Sequence, residues 1–131
     1  MKNKSKVAVL SSDAAEPVGP YSQAIVSNSL VFISGQLGMD ARKKELGGTV
    51  EEQTRLALKS IENILIEAGS SLDDIVKTTI LLADLDDFSV VNNVYAQFFS
   101  EPYPARAAYQ VAKLPLDAMV EIEAVARLKE R

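Results

Sequence analysis

Two segments of this 131-residue chain carry largely apolar or β-branched side chains on both faces of a predicted strand. They are residues 75–83 and the run Leu30-Val31-Phe32-Ile33. Because side chains along a strand alternate between the two faces of a sheet, both faces of this sheet need cover. The sequence predicts only two helices, which can cover one face. We therefore expect further copies of the chain to bury the other face, in a homo-oligomer whose subunit number the pattern leaves open.

The two helices are indicated by their periodicity and by their ends. Thr49 and Glu52 have the spacing of a capping box, and Gly69 lies where a left-handed residue ends a helix. Between them, apolar residues recur at spacings of four, three and four, at Ala57, Ile61, Ile64 and Ala68. We expect a second helix to start after Asp84 or Asp86 and to end before Pro102, with an apolar face of Phe88, Val91, Val94 or Tyr95, and Phe98.

The remaining β-branched segments predict an α+β fold. Residues 24–28 and 30–34 are predicted to pair as a hairpin, as are residues 107–112 and 119–128, and residues 6–10 are a candidate extra strand. In the last strand, the even-numbered residues 120–128 are expected to lie under the helices. The order β-β-α-β-α-β-β predicts one domain, residues 1–131 with residues 1 to about 6 frayed, in which both helices cover one face of a mostly antiparallel sheet.

Composition narrows the possible chemistry. The chain has no cysteine and no histidine, so thiol nucleophiles, Ser-His triads and histidine-ligated metals are excluded, and we expect no metal site and no cofactor. Its net charge of −4 disfavours a nucleic-acid partner, which normally requires a basic face. No apolar run approaches the ~18 residues of a membrane span, and no export signal is evident, so we expect a cytoplasmic protein. The patch 42–44 is interpreted as a solvated turn.

The first candidate for chemistry is Arg106, at the start of a predicted strand and two residues after Pro104. A guanidinium can pair with a carboxylate through two hydrogen bonds. The alternative is an ordinary surface arginine or a structural ion pair.

The second candidate is the pair Glu121 and Glu123, two carboxylates on one face of an otherwise apolar strand. If this face is buried against another subunit, the pKa of at least one carboxyl rises into a range useful for proton transfer. The alternatives are an exposed polar face or a salt bridge across the interface.

Three weaker candidates complete the set. Gly19-Pro20-Tyr21 is a turn that delivers a tyrosine, and Ser34-Gly35 lets backbone approach a ligand closely. Asn92 lies on the second helix. Each of these is also explained as a plain turn or a solvated polar position.

Taken together, these segments resemble the RidA/YjgF family, also called the L-PSP endoribonucleases. The resemblance runs from about residue 15 to the end, in family order and spacing. It is carried by residues 19–23, 32–36, 74–79, 87–92, 104–106, 111–115 and 120–124.

The resemblance implies a chorismate-mutase-like fold, a homotrimer with clefts between subunits, and hydrolysis of small enamine and imine acids such as 2-aminoacrylate to 2-oxo acids and ammonia. By similarity, Arg106 would clamp the substrate carboxylate and Glu121 would position or activate water, with the cleft lined by Tyr21, Ser34, Gly35, Asn92 and the backbone at Ala108. Many members have Cys at position 108, and a backbone role survives this change. The alternatives are a non-catalytic trimer that binds small carboxylates or a regulatory partner, and, less favoured by the acidic charge, an endoribonuclease.

Overall fold

The computed structural model describes residues 5–129, which form a six-stranded mixed sheet with two helices packed on one face. The prediction of a frayed N-terminus mainly concerns residues 1–4, which lie outside the described residues. The elements are β1 (Val7–Val9), β2 (Ala24–Ser27), β3 (Leu30–Leu37), β4 (Met39–Asp40), β5 (Glu45–Leu46), α1 (Val50–Ala68), β6 (Ile75–Leu82), α2 (Phe88–Phe98), β7 (Ala105–Gln110) and β8 (Val120–Arg127). The strand order is β1-β2-β3-β8-β6-β7, and β4 and β5 form a separate small hairpin. The predicted α+β class is confirmed.

Helix α1 begins and ends where its capping residues predict. The Thr49 hydroxyl accepts a hydrogen bond from the Glu52 N–H at 3.1 Å, and Gly69 adopts a left-handed φ of 83° at the other end. The Glu52 carboxylate reaches back as expected, but it accepts from the Gly48 N–H at 2.9 Å, one residue before the cap. Both ends are set by local side chains, which is why the sequence predicts them.

The core lies between the helices and one face of the sheet. The predicted inward residues of β8 from Val120 to Ala126 are buried beneath α1, and Leu128, just after the strand, is partly buried. The fully buried side chains of α1 and β6 complete the same cluster. The largest fully buried apolar side chains of the whole core are Leu58, Ile61, Ile64, Leu65, Ile80, Leu82, Ile122, Val31, Val91, Val94 and Val120. The opposite face, called the open face below, carries Phe32, Leu81, Tyr109 and Val125 with Glu121 and Glu123. On this face Phe32 is 46% and Tyr109 58% exposed in the single chain.

The first predicted hairpin is confirmed and the second is wrong. Strands β2 and β3 pair antiparallel around Asn28, which takes a left-handed φ of 56°, and the N-terminal strand pairs with β2. Strand β7, however, pairs parallel with β6, whereas β8 pairs antiparallel with β3 and with the other edge of β6. Helix α2 is the crossover connection that parallel neighbours require. Residues 111–119 therefore carry the chain past the end of β6 instead of forming a hairpin turn.

The patch 42–44 is confirmed as an exposed turn, between β4 and β5, a hairpin that sequence reasoning missed. The Asp40 carboxylate caps it by accepting from the N–H groups of Arg42 and Lys43, each at 3.0 Å. These bonds, chiefly that from Lys43, lower the pKa of the Asp40 carboxyl. Within residues 5–129, no helix is both long enough and apolar enough to cross a bilayer.

Gly38 fixes the position of α1 against the end of β3. A methyl group on Gly38 would overlap the backbone of Gln53, and the Gln53 amide holds the Met119 N–H and the Gly47 carbonyl. We predict that Gly38→Ala lowers the free energy of unfolding by about 2 kcal/mol or more, because backbone cannot yield as a side chain can.

Urea denaturation measures this effect, with Gly48→Ala as the matched control. A methyl group on Gly48 meets only the Glu52 carboxylate, at an ordinary 3.7 Å. Equal midpoints for the two variants would show that α1 is not held by this close approach.

Candidate active site

Arg106 lies on the edge strand β7, on the face of the sheet that the helices cover. In the parallel register of β6 and β7 it is paired with Thr78, which is in turn paired with the buried Ala124. Paired residues share a face. The side chain therefore emerges beside α2, at the free edge of the sheet.

The guanidinium group is held there by neutral groups. Its Nη1 donates to Oδ1 of Asn92 at 2.8 Å, and its central carbon lies 4.8 Å from the ring centroid of Tyr95 and 5.2 Å from that of Phe88. Among the described residues, no carboxylate forms an ion pair with Arg106, and neither Nε nor Nη2 has a hydrogen-bond acceptor. A fixed cation without a counter-ion is a receptor for an anion.

A cavity of about 460 Å³ opens beside this guanidinium. It is lined by Asn92, Tyr95, Ala96, Tyr103, Pro104 and Arg106. The mixture of aromatic walls and one cation suits a small organic acid better than a phosphodiester backbone, which is normally held by several cations.

Ala108 follows on the same face and is half-buried against the core. The Val111 N–H donates to the Leu82 carbonyl at 2.9 Å, so the backbone groups of odd-numbered residues in β7 point toward β6. By alternation, the N–H and C=O groups of Arg106 and Ala108 point away from β6, to the unpaired edge. The backbone at Ala108 is thus available to a ligand or to another chain.

Glu121 lies on the opposite side of the sheet. It is paired with Leu81, three residues from Thr78, and its neighbours Val120 and Ile122 are fully buried under the helices. The Glu121 side chain therefore points to the open face, two strands away from Arg106. No small molecule can contact both side chains in a single chain.

One other predicted site residue, Gly35, lies directly against Glu121, and Ser34 and the turn that carries Tyr21 adjoin it. A methyl group at Gly35 would lie 2.8 Å from Cδ and 3.1 Å from Oε1 of Glu121, so the carboxylate lies directly over the glycine. Ser34 and Gly35 form a β-bulge opposite Glu123. The Ser34 hydroxyl donates to the Ser22 carbonyl at 2.6 Å, which ties the neighbouring Tyr21 turn to this bulge.

The pKa of the Glu121 carboxyl is raised above its usual value. Burial against β3 is the larger cause, and the negative charge of Glu123 adds to it. A carboxyl with a raised pKa holds and releases a proton nearer to neutral pH, as general acid–base catalysis requires.

The predicted site residues thus form two groups in one chain. Arg106, Asn92 and Ala108 lie at the edge of β7, whereas Gly35 and Glu121 lie together on the other side of the sheet, with Ser34 beside Gly35 and Tyr21 in the adjoining turn. Within residues 5–129, no three Asp, Glu, His or Cys side chains converge as metal ligands.

Sequence reasoning missed two residues of the Arg106 group. The apolar periodicity of α2 predicts only core positions for Phe88 and Tyr95. Their spacing to Asn92, four residues before it and three after, places all three on one helix face. This spacing is the signal that could have identified them.

The fold and these two groups define a small α+β protein with an anion-receptive arginine at the edge of its sheet. The family model for endoribonuclease L-PSP matches residues 11–128. Because that match covers nearly the whole chain, the protein belongs to this family, the RidA/YjgF family that its motifs resemble.

Relatives of known name agree with this assignment. The human 2-iminobutanoate/2-iminopropanoate deaminase is 51% identical over 110 residues, which are 83% of this chain and 80% of the human protein. RidA from the Antarctic bacterium Psychrobacter superposes with a TM-score of 0.91 at 43% identity, over 93% of this chain and 99% of that one. TdcF of E. coli, solved with bound serine, has a TM-score of 0.90 at 40% identity, over 95% and 100% of the two chains.

We predict that Glu123→Gln lowers the pKa of Glu121, because it removes the neighbouring negative charge. Burial is expected to keep this pKa above the ordinary glutamate value. Carbon-detected NMR titration of the glutamate carboxyl groups measures both. Glu123→Asp is the matched control, since it keeps the charge. An unchanged Glu121 pKa in Glu123→Gln would contradict the proposed coupling.

Proposed function

We propose that this protein hydrolyses small enamine and imine acids, such as 2-aminoacrylate, 2-iminopropanoate and 2-iminobutanoate, to 2-oxo acids and ammonia. The observation that carries the proposal is the uncompensated guanidinium of Arg106, held between aromatic rings and Asn92 beside a cavity. Relatives that are about half identical over most of the chain carry the name of this deaminase. The cytoplasmic location expected from the sequence remains part of the proposal.

The chemistry needs few groups. Arg106 binds the substrate carboxylate and thereby orients the C=N bond. Water adds to the imine carbon while the Glu121 carboxylate accepts its proton, and the protonated Glu121 returns a proton to nitrogen. The new hydroxyl group then gives up its proton to Glu121, which passes a proton to the amine as the C–N bond breaks, so that ammonia leaves and the 2-oxo acid remains. An enamine enters the same route after protonation at its terminal carbon.

Glu121 is suited to both proton transfers because its pKa is raised by burial and by Glu123. In this scheme, Tyr21, Ser34 and Gly35 line the water side of the cleft, next to Glu121. The backbone of Ala108 binds the substrate beside Arg106. Asn92 acts on Arg106, to which it is hydrogen-bonded, more directly than on the substrate.

We further propose that the working unit is a homotrimer and that each cleft lies between two subunits. Arg106 and Glu121 lie on opposite faces of one chain, so they can meet only if one comes from a neighbour. The open face carries exposed Phe32 and Tyr109, and β7 has an unpaired edge. Covering the open face with neighbouring chains buries this apolar surface and brings a second copy to the Arg106 edge.

A second candidate function is a non-catalytic binder of small carboxylates. The amino acid bound to E. coli TdcF favours it, since serine carries the carboxylate that an arginine clamp would hold. A pure binder has no use for a proton-transfer group, whereas Glu121 has a raised pKa. This difference favours the enzyme.

Loss of Arg106 is expected to abolish catalysis. With 2-aminoacrylate generated in situ by a dehydratase, wild type accelerates 2-oxo acid release, whereas Arg106→Ala returns it close to the background rate. Arg106→Lys is expected to be nearly as damaging, because a point charge lacks the planar fork. The control is Arg42→Ala, at the exposed turn.

Wild-type release at the background rate would support the binder instead. RNA cleavage that survives Arg106→Ala and falls steeply with salt would support the nuclease that the family name describes.

Leu81→Asp is expected to disrupt the trimer, because Leu81 lies on the open face opposite Glu121 and Tyr109. Analytical ultracentrifugation should give three times the 14.2 kDa chain mass for wild type and the single-chain mass for the variant. Val18→Asp is the control, since Val18 is 96% exposed outside the sheet. A Leu81→Asp protein that remains trimeric would show that this face is not the subunit interface.

A further inference from the structure

The guanidinium of Arg106 lies over the ring of Tyr95, and this ring is itself held by a hydrogen bond to the sheet. Tyr95 is 5% exposed, and its hydroxyl lies 2.8 Å from that of Thr78, which is 1% exposed. Thr78 is the residue paired with Arg106 in the register of β6 and β7. The ring of Tyr95 thus spans from α2 to the strand beside Arg106, with the guanidinium carbon 4.8 Å from its centroid.

Neither partner in this hydroxyl pair is explained by the core alone. An apolar core needs only the ring of Tyr95, and the two hydroxyl groups form a pair that is buried among apolar side chains. Burying a hydroxyl is unfavourable unless it is bonded, so the pair stabilises the fold little beyond what Phe and Val would provide. What the pair does provide is a fixed orientation of the Tyr95 ring. A hydroxyl that is hydrogen-bonded to β6 prevents the ring from rotating when the side chains around it move.

The second wall of the ring is also defined. Phe99 packs on Tyr95 with centroids 4.4 Å apart and the ring planes inclined by 32°. Phe99, the Thr78 hydroxyl and the Arg106 guanidinium therefore all contact the same tyrosine. The Tyr95 hydroxyl is neutral near pH 7, as an ordinary tyrosine is, and burial raises its pKa further, so no negative charge competes for the guanidinium.

We propose that Tyr95 is a positioning residue for the anion clamp, and that its hydrogen bond to Thr78 sets the orientation of the Arg106 guanidinium. This inference rests on the proposed role of Arg106 and adds two residues that act through it: the Tyr95 ring lines the cavity, but its hydroxyl is buried against Thr78. A cation over an aromatic face is attracted without being neutralised. The Tyr95 ring therefore restrains the guanidinium while leaving its charge available to a carboxylate.

The test compares Tyr95→Phe, Thr78→Val and the double variant. The readouts are the Kd for 2-oxobutanoate by calorimetry, kcat/KM for 2-iminobutanoate generated in situ, and the midpoint of thermal unfolding. Each single variant is expected to weaken 2-oxobutanoate binding about three- to tenfold, the worth of one hydrogen bond, and the double variant is expected to be no worse than either. Thr78→Ser, which keeps a hydroxyl, is expected to bind like wild type.

Ser70→Ala is the matched control for a merely structural effect. The Ser70 hydroxyl is also buried, and it donates to the Arg127 carbonyl at 2.7 Å, at the far end of β8 from Glu121. This variant is expected to lose stability with unchanged Kd and kcat/KM. A Tyr95→Phe protein that behaves in the same way, with normal binding, would overturn the proposal.

The same readouts separate this inference from the proposed reaction. A wild type that binds 2-oxobutanoate without accelerating imine hydrolysis would refute the deaminase, while the Kd values of the variants would still decide the role of Tyr95. Additive losses in the double variant would show that the two hydroxyl groups do not act as a pair and would overturn the inference.

Discussion

The proposed site depends on a cation that is held in place without being neutralised. Most arginines on a protein surface either extend into water or pair with a carboxylate, and both arrangements reduce what they offer to a ligand. Arg106 is exposed, but its guanidinium is not free in water: an amide oxygen and two aromatic rings hold it, and none of these groups is charged. Its electrostatic attraction therefore remains available for a small acid. Helix α2 supplies the two aromatic rings, and the register of β6 with β7 places Arg106 beside them.

The topology of the sheet explains why such a site would need more than one chain. Since β8 is inserted between β3 and β6, Glu121 is placed close to Gly35 and far from β7. Alternation along the strands then directs Glu121 and Arg106 to opposite faces. Strand β7 is the last in this order and has an unpaired edge, and the second face of the sheet is uncovered because both helices lie on the other face. Exposing the apolar open face and the unpaired edge of β7 to water is unfavourable. In the proposed trimer, these same two surfaces complete the cleft.

Features set by local interactions could be predicted from the sequence. Thr49 and Gly69 mark both ends of α1 because a cap depends on residues within one helical turn. The inward set of β8 follows from alternation. The partner of β7 could not be predicted in this way, because nine residues between two strands are compatible with a hairpin and with a path around a third strand. Only the crossover through α2 decides between them.

The candidate site shows the same division. The resemblance and the residue types indicated Arg106 and Glu121, and the structure gives each of them a distinct environment. Spacing places Tyr95 on the same face of α2 as Asn92, but it does not show whether this tyrosine only fills the core or also supports a cation, because both have the same periodicity. Its role depends on Thr78 and Arg106, which are distant in sequence and are brought to it by the parallel pairing of β6 with β7.

The central claim is that a working cleft takes Arg106 from one chain and Glu121 from another. The test uses the Arg106→Ala and Glu121→Ala proteins, each inactive by itself. The two proteins are mixed, unfolded and refolded together. Random mixed trimers should recover about a quarter of the wild-type deaminase activity, because some clefts then receive the intact residue from each parent. Mixed trimers that are demonstrated by native mass spectrometry and yet show no activity above the two parents would contradict the account.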